Sequence, residues 1–410
     1  MKVAMCAIVC FALTPVFAEI CVDSLKPFPV LRPVPARLED TVRAFQSAPA
    51  VTVTPGGRLW CAWHTGGDNE GADNCVIVAT SGDGGKSWSG PLFAIDAEGP
   101  LRALDPGLWT APDGKVWLFY AQVYDFWDGR AGLWAMHPVD AERSGTDWTP
   151  ARRLCDGYMK NKPLVMKGGR WLFPVEFMHP EPFHLTIGMH GKPDERYPLT
   201  GPLSHPNPER AAGANVFFSD DGGATVCPLG RAFIPKADRN YPEHMLIEQA
   251  SGNLRMLVRT AYGIGESRSS DGGVTWSQVA RGGICNPDAR FYVGRLRSGA
   301  LLLVKNGPVG ERTGRDRIMA YVSDDDGQTW LGGLILDGRR EVSYPDAAQG
   351  PDGFVHVVHD RERYGAREIV HHVFTEADVR TGKLVTKGSR LRDVVNKCVP
   401  GTTATGKKRN

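Results

Sequence analysis

The sequence lacks the features typical of membrane, nucleic-acid-binding and metal-binding proteins. After residue 18, no apolar run approaches the length of a membrane-spanning helix. Lysine and arginine total 48 against 46 aspartates and glutamates, and a net charge of +2 provides no basic footprint for nucleic acid. The nine cysteines form no CxxC pair and no spacing typical of zinc ligands. We therefore expect no membrane segment in the mature chain, no nucleic-acid partner, no metal and no other cofactor.

Helical periodicity and several catalytic signatures are also missing. No segment keeps a helical apolar period for three turns. The GxSxG motif of serine hydrolases, the HExxH motif of zinc proteases and a phosphate-binding loop are all absent. The chain does contain 48 glycines, 30 prolines and 11 tryptophans. Many turns with few helices favour an all-β fold.

The amino terminus predicts a cleavable signal peptide at residues 1–18. Lys2 supplies a short basic start, residues 4–13 form an apolar run, and Ala18 ends a short segment suited to cleavage. The apolar run is too short for a spanning helix and indicates export, so we expect a secreted or periplasmic protein. We expect residues 19–410 to form a single domain and the mature protein to be a monomer.

A hairpin pattern recurs six times along the chain. In each copy a glycine-containing turn separates two runs of alternating apolar residues, which predicts a β-hairpin. The turn glycines are Gly57, Gly114, Gly169, Gly252, Gly299 and Gly353. Their spacings are 57, 55, 83, 47 and 54 residues, and a period near 50 is typical of four-stranded propeller blades. We therefore predict a six-bladed β-propeller, with a surface-loop insertion at about residues 177–210 in the longest interval.

A second repeat, the Asp-box S-x-D-x-G-x-[ST]-W, supports the propeller. Its copies begin at Ser81, Ser219, Ser269 and Ser323, the second with Val226 in place of the tryptophan. We expect the aspartate to bind amides of its own turn, the glycine to take the left-handed position and the tryptophan to pack between sheets. A calcium loop is a poor alternative because no glutamate follows at the required distance. The Asp-boxes indicate the fold and carry no information about catalysis.

Propeller geometry predicts where reactive side chains meet. The first strand of each hairpin begins, and the second ends, at the same end of the blade. Counting nine residues back and seven forward from each turn glycine gives Ala48, Asp105, Lys160, Glu243, Arg290, Tyr344, His64, Ala121, Glu176, Arg259, Asn306 and Asp360. Ten of these twelve positions are polar or ionisable, although strand ends are commonly polar because they meet solvent. If the hairpins are the inner strands, one mouth of the channel carries a ring of acids, bases and a tyrosine.

Three motifs in this region resemble the sialidase superfamily of bacterial exo-glycosidases. Tyr344 stands in YPDAAQGPDG, which is similar to the family's nucleophile segment. Glu243 begins the segment EHMLIEQASGNLRMLVRT, whose last arginine, Arg259, is similar to a family arginine that binds the substrate carboxylate. Arg315 lies fifteen residues before Trp330 of the last Asp-box, where the family places another such arginine.

This resemblance implies an exo-glycosidase that hydrolyses a terminal acidic sugar, so a glycan is the expected partner. Tyr344 would be the nucleophile and Glu243 its base, because a carboxylate nucleophile would be repelled by a carboxylate on the anomeric carbon. A phenol, with an ordinary pKa of about 10, needs such a base. Arg259 and Arg315 would bind the substrate carboxylate through guanidinium forks that lysine cannot reproduce.

The family takes its general acid from the loop between the first hairpin and the first Asp-box. Here that loop contains Asp68 and Glu70, and we prefer Glu70 while keeping Asp68 as the alternative. Asp105 and Lys162 are candidate ligands for sugar hydroxyls. His64 lies beside the predicted site, although a single histidine is more often structural.

One departure from the family bears on the substrate. The family's first arginine stands in a Phe/Tyr-Arg-Ile-Pro motif before the first hairpin, and here Ser47 takes its place. One charge-assisted contact, typically worth about 1.5–3 kcal/mol, is therefore absent. We expect Arg290 to replace it from another blade. Alternatively, the substrate is a uronic acid, an ulosonic acid or a neutral sugar.

Two other functions fit the same scaffold. A catalytically silent propeller that binds glycans or proteins is consistent with the altered arginine motif. A polysaccharide lyase would use Tyr344 as base and acid at the C5 proton of a uronic acid instead of attacking carbon. The intact spacing of Tyr344, Glu243 and Arg259 favours the hydrolase.

Overall fold

The computed structural model describes residues 26–71, 73–97, 101–124, 131–177 and 213–400. The predicted signal peptide lies outside these residues, as does the predicted insertion from residue 178 onward. The described chain forms six antiparallel sheets that follow one another along the sequence. The all-β, six-bladed β-propeller with Asp-box repeats predicted from the sequence is confirmed.

Each blade has four strands, and the first blade carries one more at its outer edge. The strands of the first three blades are β1 Val30–Leu31, β2 Gln46–Val53, β3 Leu59–Thr65, β4 Cys75–Ser81, β5 Phe93–Ile95, β6 Leu101–Thr110, β7 Val116–Tyr124, β8 Gly132–Met136, β9 Arg152–Asp156, β10 Leu164–Val165, β11 Trp171–Phe177, β12 Gly213–Ser219 and β13 Cys227–Ala232.

The last three blades repeat the same order of strands. Their strands are β14 His244–Glu248, β15 Leu254–Thr260, β16 Gly263–Ser269, β17 Ala280–Arg281, β18 Tyr292–Arg295, β19 Leu301–Asn306, β20 Asp316–Ser323, β21 Leu331–Arg340, β22 Val342–Gln349, β23 Val355–Arg361, β24 Glu368–Phe374 and β25 Arg390–Lys397. One α-helix, α1 Glu376–Thr381, and two 3-10 turns, Ala36–Leu38 and Lys236–Asp238, complete the described residues. No helix in these ranges has the length and apolar character needed to cross a membrane.

The predicted hairpins are the two inner strands of every blade. Their six turn glycines have φ between 84° and 94°, the left-handed region that glycine enters without steric cost. The first strands meet around the central axis, where β2 contacts β6 on one side and β22 on the other. The starts of the first strands and the ends of the second strands therefore face one mouth of the channel.

The apolar core lies in layers between neighbouring blades. Trp60 of the first blade packs in one cluster with Leu118 of the second. Val51 of the first blade packs with Val358 of the sixth, so the last blade closes the ring against the first. Because the layers fix each blade against the next, side chains from distant parts of the sequence meet at the channel.

The Asp-boxes form the turns between the third and fourth strands of four blades. In the copy that begins at Ser269, the Ser269 hydroxyl donates to Asp271 and accepts from the amide of Gly273 at 2.9 Å. Asp271 also accepts from the amide and hydroxyl of Thr275, and these hydrogen bonds lower the pKa of Asp271 to about 2. The box aspartate is thus occupied by its own turn.

Replacing Ser269 with alanine should destabilise the fold without affecting the channel. The buried Gly273 amide would lose its acceptor, which costs about 1–2 kcal/mol of unfolding free energy. Urea denaturation measures this loss. The matched control is Thr275→Ala, which removes an exposed hydroxyl of the same turn and should change stability by less than about 0.5 kcal/mol. Equal effects of the two substitutions would contradict the role of Ser269 as the acceptor that holds the buried Gly273 amide.

Candidate active site

The structure brings the predicted ring of ionisable side chains together at one mouth of the channel. Six of its members form one connected cluster there and are at most 8% exposed: Asp105, Lys160, Glu176, Glu243, Arg259 and Tyr344. They come from four different blades. Buried charges are costly unless paired, so a cluster of this size is unusual for a region with only a packing role.

Tyr344 is held in a strained bulge that recurs in three blades. Ala48, Asp105 and Tyr344 all precede a proline and have φ of 47°, 49° and 58°. Each lies where the register of its first strand shifts. A left-handed backbone at a residue other than glycine costs about 1–3 kcal/mol. A bulge also re-aims side chains relative to the regular pleat, and this one directs Tyr344 toward the arginines described next.

Arg259 joins the proposed nucleophile to its proposed base. Its Nη1 atom donates to the Tyr344 hydroxyl at 2.8 Å and to Glu243 Oε2 at 3.0 Å. Tyr344 and Glu243 therefore lie at the same mouth and share one nitrogen, without a direct hydrogen bond between them among the described contacts. Burial alone would raise the pKa of the Glu243 carboxyl group, but Arg259 and Lys160 hold it below its usual range.

Three guanidinium groups surround the ring of Tyr344. The guanidinium carbons of Arg259, Arg315 and Arg363 lie 5.9, 5.5 and 4.2 Å from the ring centroid. Arg259 is balanced by Asp288, whose Oδ1 accepts from its Nε at 2.6 Å. Arg315 has no carboxylate partner within the described residues, where it donates to the Asp288 backbone oxygen at 3.0 Å. Burial and the neighbouring Arg363 lower the pKa of Arg315.

Arg363 is the site residue that the sequence analysis missed. It follows β23 and is fixed by Asp360, whose Oδ2 accepts from Arg363 Nε at 3.0 Å. The same carboxylate accepts from the hydroxyls of Ser47 and Ser343, each at 2.8 Å. Ser47, which replaces the family's first arginine, therefore binds the group that holds Arg363. A search three residues beyond the predicted strand end at Asp360 would have found this arginine.

The expectation that Arg290 replaces the missing arginine is wrong, because its guanidinium group is directed away from Tyr344 toward other partners. Arg290 is buried, its guanidinium donates to Asn161 and to the Lys160 backbone oxygen, and it faces Asp346 at 3.5 Å. Lys162 joins the same internal network, because its Nζ donates to Asp346 and to the backbone oxygen of Val51. Neither residue contacts Tyr344 in the described structure, since both are engaged in linking inner strands.

Lys160 lies at the base of the mouth between three carboxyl groups. Its Nζ is 2.9 Å from Glu243, 3.4 Å from Asp105 and 3.4 Å from Glu176. Burial raises the pKa of Asp105, and burial raises that of Glu176 to about 7. His64 accepts from the Asp105 amide at 3.4 Å, and burial lowers the pKa of His64 to about 4, so this histidine is neutral. Asp105 thus lies between His64 and Lys160, and the ring of His64 also packs against Phe45, with 5.5 Å between ring centroids.

The two candidates for the general acid differ in position. Glu70 Oε1 lies 3.4 Å from Nη1 of Arg363, at the edge of the arginine cluster. Asp68 is exposed. Glu70 is therefore the candidate that lies beside the arginine cluster.

A second buried cluster of metal-ligand type lies on strands β21, β23 and β24. Asp337, His359 and His372 place one potential ligand atom each within 4.8 Å of one another. However, Arg339 binds both oxygens of Asp337, and the Arg392 amide donates to Nδ1 of His372. Nε2 of His359 and Nε2 of His372 have no hydrogen-bond partner among the described residues, but the carboxylate is already paired with Arg339, so we assign no metal to the cluster.

Comparison with known proteins supports the architecture. The family described as BNR repeat-like domain matches residues 57–357. No protein with a curated function matches the chain. A solved protein of unknown function from Dyadobacter fermentans is 17% identical, with a TM-score of 0.58 over 80% of this chain and 93% of its own.

Several solved sialidases share the fold. The NanB sialidase of Streptococcus pneumoniae is 15% identical, with a TM-score of 0.59 over 86% of this chain and 71% of its own. The intramolecular trans-sialidase of Ruminococcus gnavus is 14% identical, with a TM-score of 0.58 over 84% of this chain and 97% of its own. At these identities the likeness establishes a sialidase-like propeller fold.

Proposed function

We propose that this chain, which belongs to the BNR repeat-like domain family, is a secreted exo-glycosidase of the sialidase type that acts on a terminal sugar bearing a carboxylate on its anomeric carbon. One observation carries the proposal. Arg315, between Arg259 and Arg363 at the face of Tyr344, has no carboxylate partner among the described residues. A substrate carboxylate bound there would balance the charge and place the anomeric carbon near the phenol.

The first step follows from the shared nitrogen of Arg259. The Tyr344 oxygen forms a bond to the anomeric carbon while its proton passes to Glu243. The Tyr344 hydroxyl oxygen and Glu243 Oε2 both lie within 3.0 Å of Arg259 Nη1. One bridging water, or a rotation of the Glu243 side chain, would therefore allow the proton to pass between them. The bond between the anomeric carbon and the leaving oxygen breaks as Glu70 donates a proton to that oxygen.

The second step releases the sugar with its configuration retained. Glu70, now ionised, takes a proton from a water that attacks the anomeric carbon. The bond to Tyr344 breaks, and the phenolic oxygen recovers its proton from Glu243. A neutral tyrosine suits this cycle because an anionic nucleophile would be repelled by the bound carboxylate.

A panel of glycosides tests the proposal. We expect purified residues 19–410 to hydrolyse α-glycosides of sugars with an anomeric carboxylate and to leave rhamnosides intact, because a neutral sugar would leave Arg315 unpaired. Product analysis by mass spectrometry and near-ultraviolet absorbance measures this result. Uronides are included because an unsaturated product would identify a lyase and overturn the proposal. Tight binding of acidic sugars without cleavage would instead indicate a glycan-binding propeller.

A further inference from the structure

The carboxylate of Glu243 is held by cations at both oxygens. Arg259 contacts Oε2 at 3.0 Å from the substrate side, and Lys160 contacts Oε1 at 2.9 Å from below. Two cations favour the ionised carboxylate and so weaken it as a proton acceptor. A base that must take the proton of Tyr344 therefore needs a group that offsets part of this positive charge.

Asp105 and Glu176 are placed to offset the charge of Lys160. Each has an oxygen 3.4 Å from the lysine Nζ, and both are at most 4% exposed. Among the described residues, the two oxygens of Glu176 have no hydrogen-bond partner. Asp105 reaches the mouth from blade two and Glu176 from blade three, whereas Glu243 belongs to blade four. The steps described above use neither Lys160 nor Glu176.

We propose that Lys160 is a positioning residue for Glu243, and that Glu176 adjusts through Lys160 how strongly Glu243 attracts the proton of Tyr344. When Glu176 is neutral, the ammonium acts on Glu243 with little opposition. When Glu176 is ionised, the ammonium is shared and Glu243 becomes a stronger base. This inference rests on the proposed function, because it gives Glu243 the role of base.

The environment of Glu176 places this change of charge near neutral pH. Burial, together with the neighbouring carboxyl groups of Glu243 and Asp105, raises its pKa to about 7 against the lowering effect of Lys160. Below that pH Glu176 is neutral, and above it Glu176 is ionised. The rate should therefore rise as the pH increases through about 7, because the basicity of Glu243 rises with it.

Glu176→Gln tests the coupling through the pH profile of kcat. The variant keeps the neutral form of the side chain, so it should lose the rise near pH 7 and fall about threefold to tenfold at alkaline pH, the effect of up to one pKa unit in the base. KM should stay unchanged because Glu176 lies behind Glu243. The matched control is Glu266→Gln, which removes a carboxylate paired with Arg255 outside the mouth and should keep the wild-type profile. An unchanged profile in Glu176→Gln would overturn the inference.

Lys160→Met tests the positioning role. We expect kcat to fall about a hundredfold, the scale of a misplaced general base, with little change in KM. The acidic limb of the profile should move to higher pH, because Glu243 is protonated more easily without the ammonium. If the single variant does not fold, Lys160→Met combined with Glu176→Gln removes one charge of each sign and is measured instead. A loss of stability with a normal kcat and pH profile would leave Lys160 only a structural role.

A measurement without substrate separates this inference from the proposed function. In protein labelled with carbon-13 at glutamate carboxyl groups, the Glu243 resonance is assigned by its loss in Glu243→Gln. The chemical shift of the Glu243 carboxyl carbon should change as Glu176 ionises, and that change should disappear in Glu176→Gln. Its absence from the wild-type protein would refute the coupling even if the enzyme is active. Its presence in a protein that cleaves no glycoside would refute the proposed function alone.

Discussion

Replacing Tyr344 with phenylalanine should reduce turnover by at least about ten-thousandfold, the scale seen when a covalent nucleophile is removed. The hydroxyl is the only part of the side chain that the substitution removes. Its ring would still pack beneath Arg363, whose guanidinium carbon lies 4.2 Å from the ring centroid. The arginines proposed to bind the substrate carboxylate remain, so affinity for an acidic sugar should persist. Steady-state kinetics and calorimetric titration with the product sugar measure the two quantities separately.

The matched control for this variant is Tyr321→Phe. Tyr321 is another buried tyrosine, and its hydroxyl donates to the Gly307 backbone oxygen at 3.3 Å in the fifth blade. This change should cost about 1 kcal/mol of stability and leave turnover intact. Wild-type activity in Tyr344→Phe would show that another group attacks the substrate. Loss of activity in both variants would indicate a general effect on the fold.

The fold could be predicted from the sequence because its signals are local. Each hairpin depends on a turn glycine such as Gly57 or Gly353, which takes a left-handed conformation. The alternating apolar residues on either side of it form the two strands. Each Asp-box closes its hydrogen bonds within a few residues, as where Ser269 and Thr275 both donate to Asp271. Counting residues from these turn glycines therefore predicts that Tyr344, Glu243 and Arg259 lie at one mouth.

The composition of the arginine cluster could not be predicted in the same way. Arg363 depends on Asp360, which in turn binds Ser47 across 313 residues of sequence. That contact exists only because the last blade closes against the first. Arg290 occupied the expected ring position, yet it turns toward the backbone of Lys160, a packing choice that spacing does not reveal. Periodicity locates a side chain on a strand, whereas its partners depend on the neighbouring blade.

Substitution of Arg363 should reveal whether this chain has rebuilt its carboxylate site from a different blade. We expect Arg363→Gln to lower kcat/KM for an acidic glycoside about tenfold to a hundredfold, because a charge-assisted hydrogen bond is worth about 1.5–3 kcal/mol. Arg363→Lys should recover only part of this loss, since an ammonium cannot form a fork with a carboxylate. Arg361→Lys is the control, because Arg361 pairs with Glu362 and Glu368 away from Tyr344.

A second substrate decides what the loss means. Converting the sugar carboxylate to a carboxamide removes its charge while keeping its shape. The wild-type enzyme should strongly prefer the acid, and Arg363→Gln should lose most of that preference because one of three guanidinium groups around Tyr344 is gone. An equal loss on both substrates would mean that Arg363 acts by holding Asp360 and Ser343 in place. A selective loss on the acid would mean that the arginine missing at Ser47 has been replaced from blade six, with Asp360 linking the two positions.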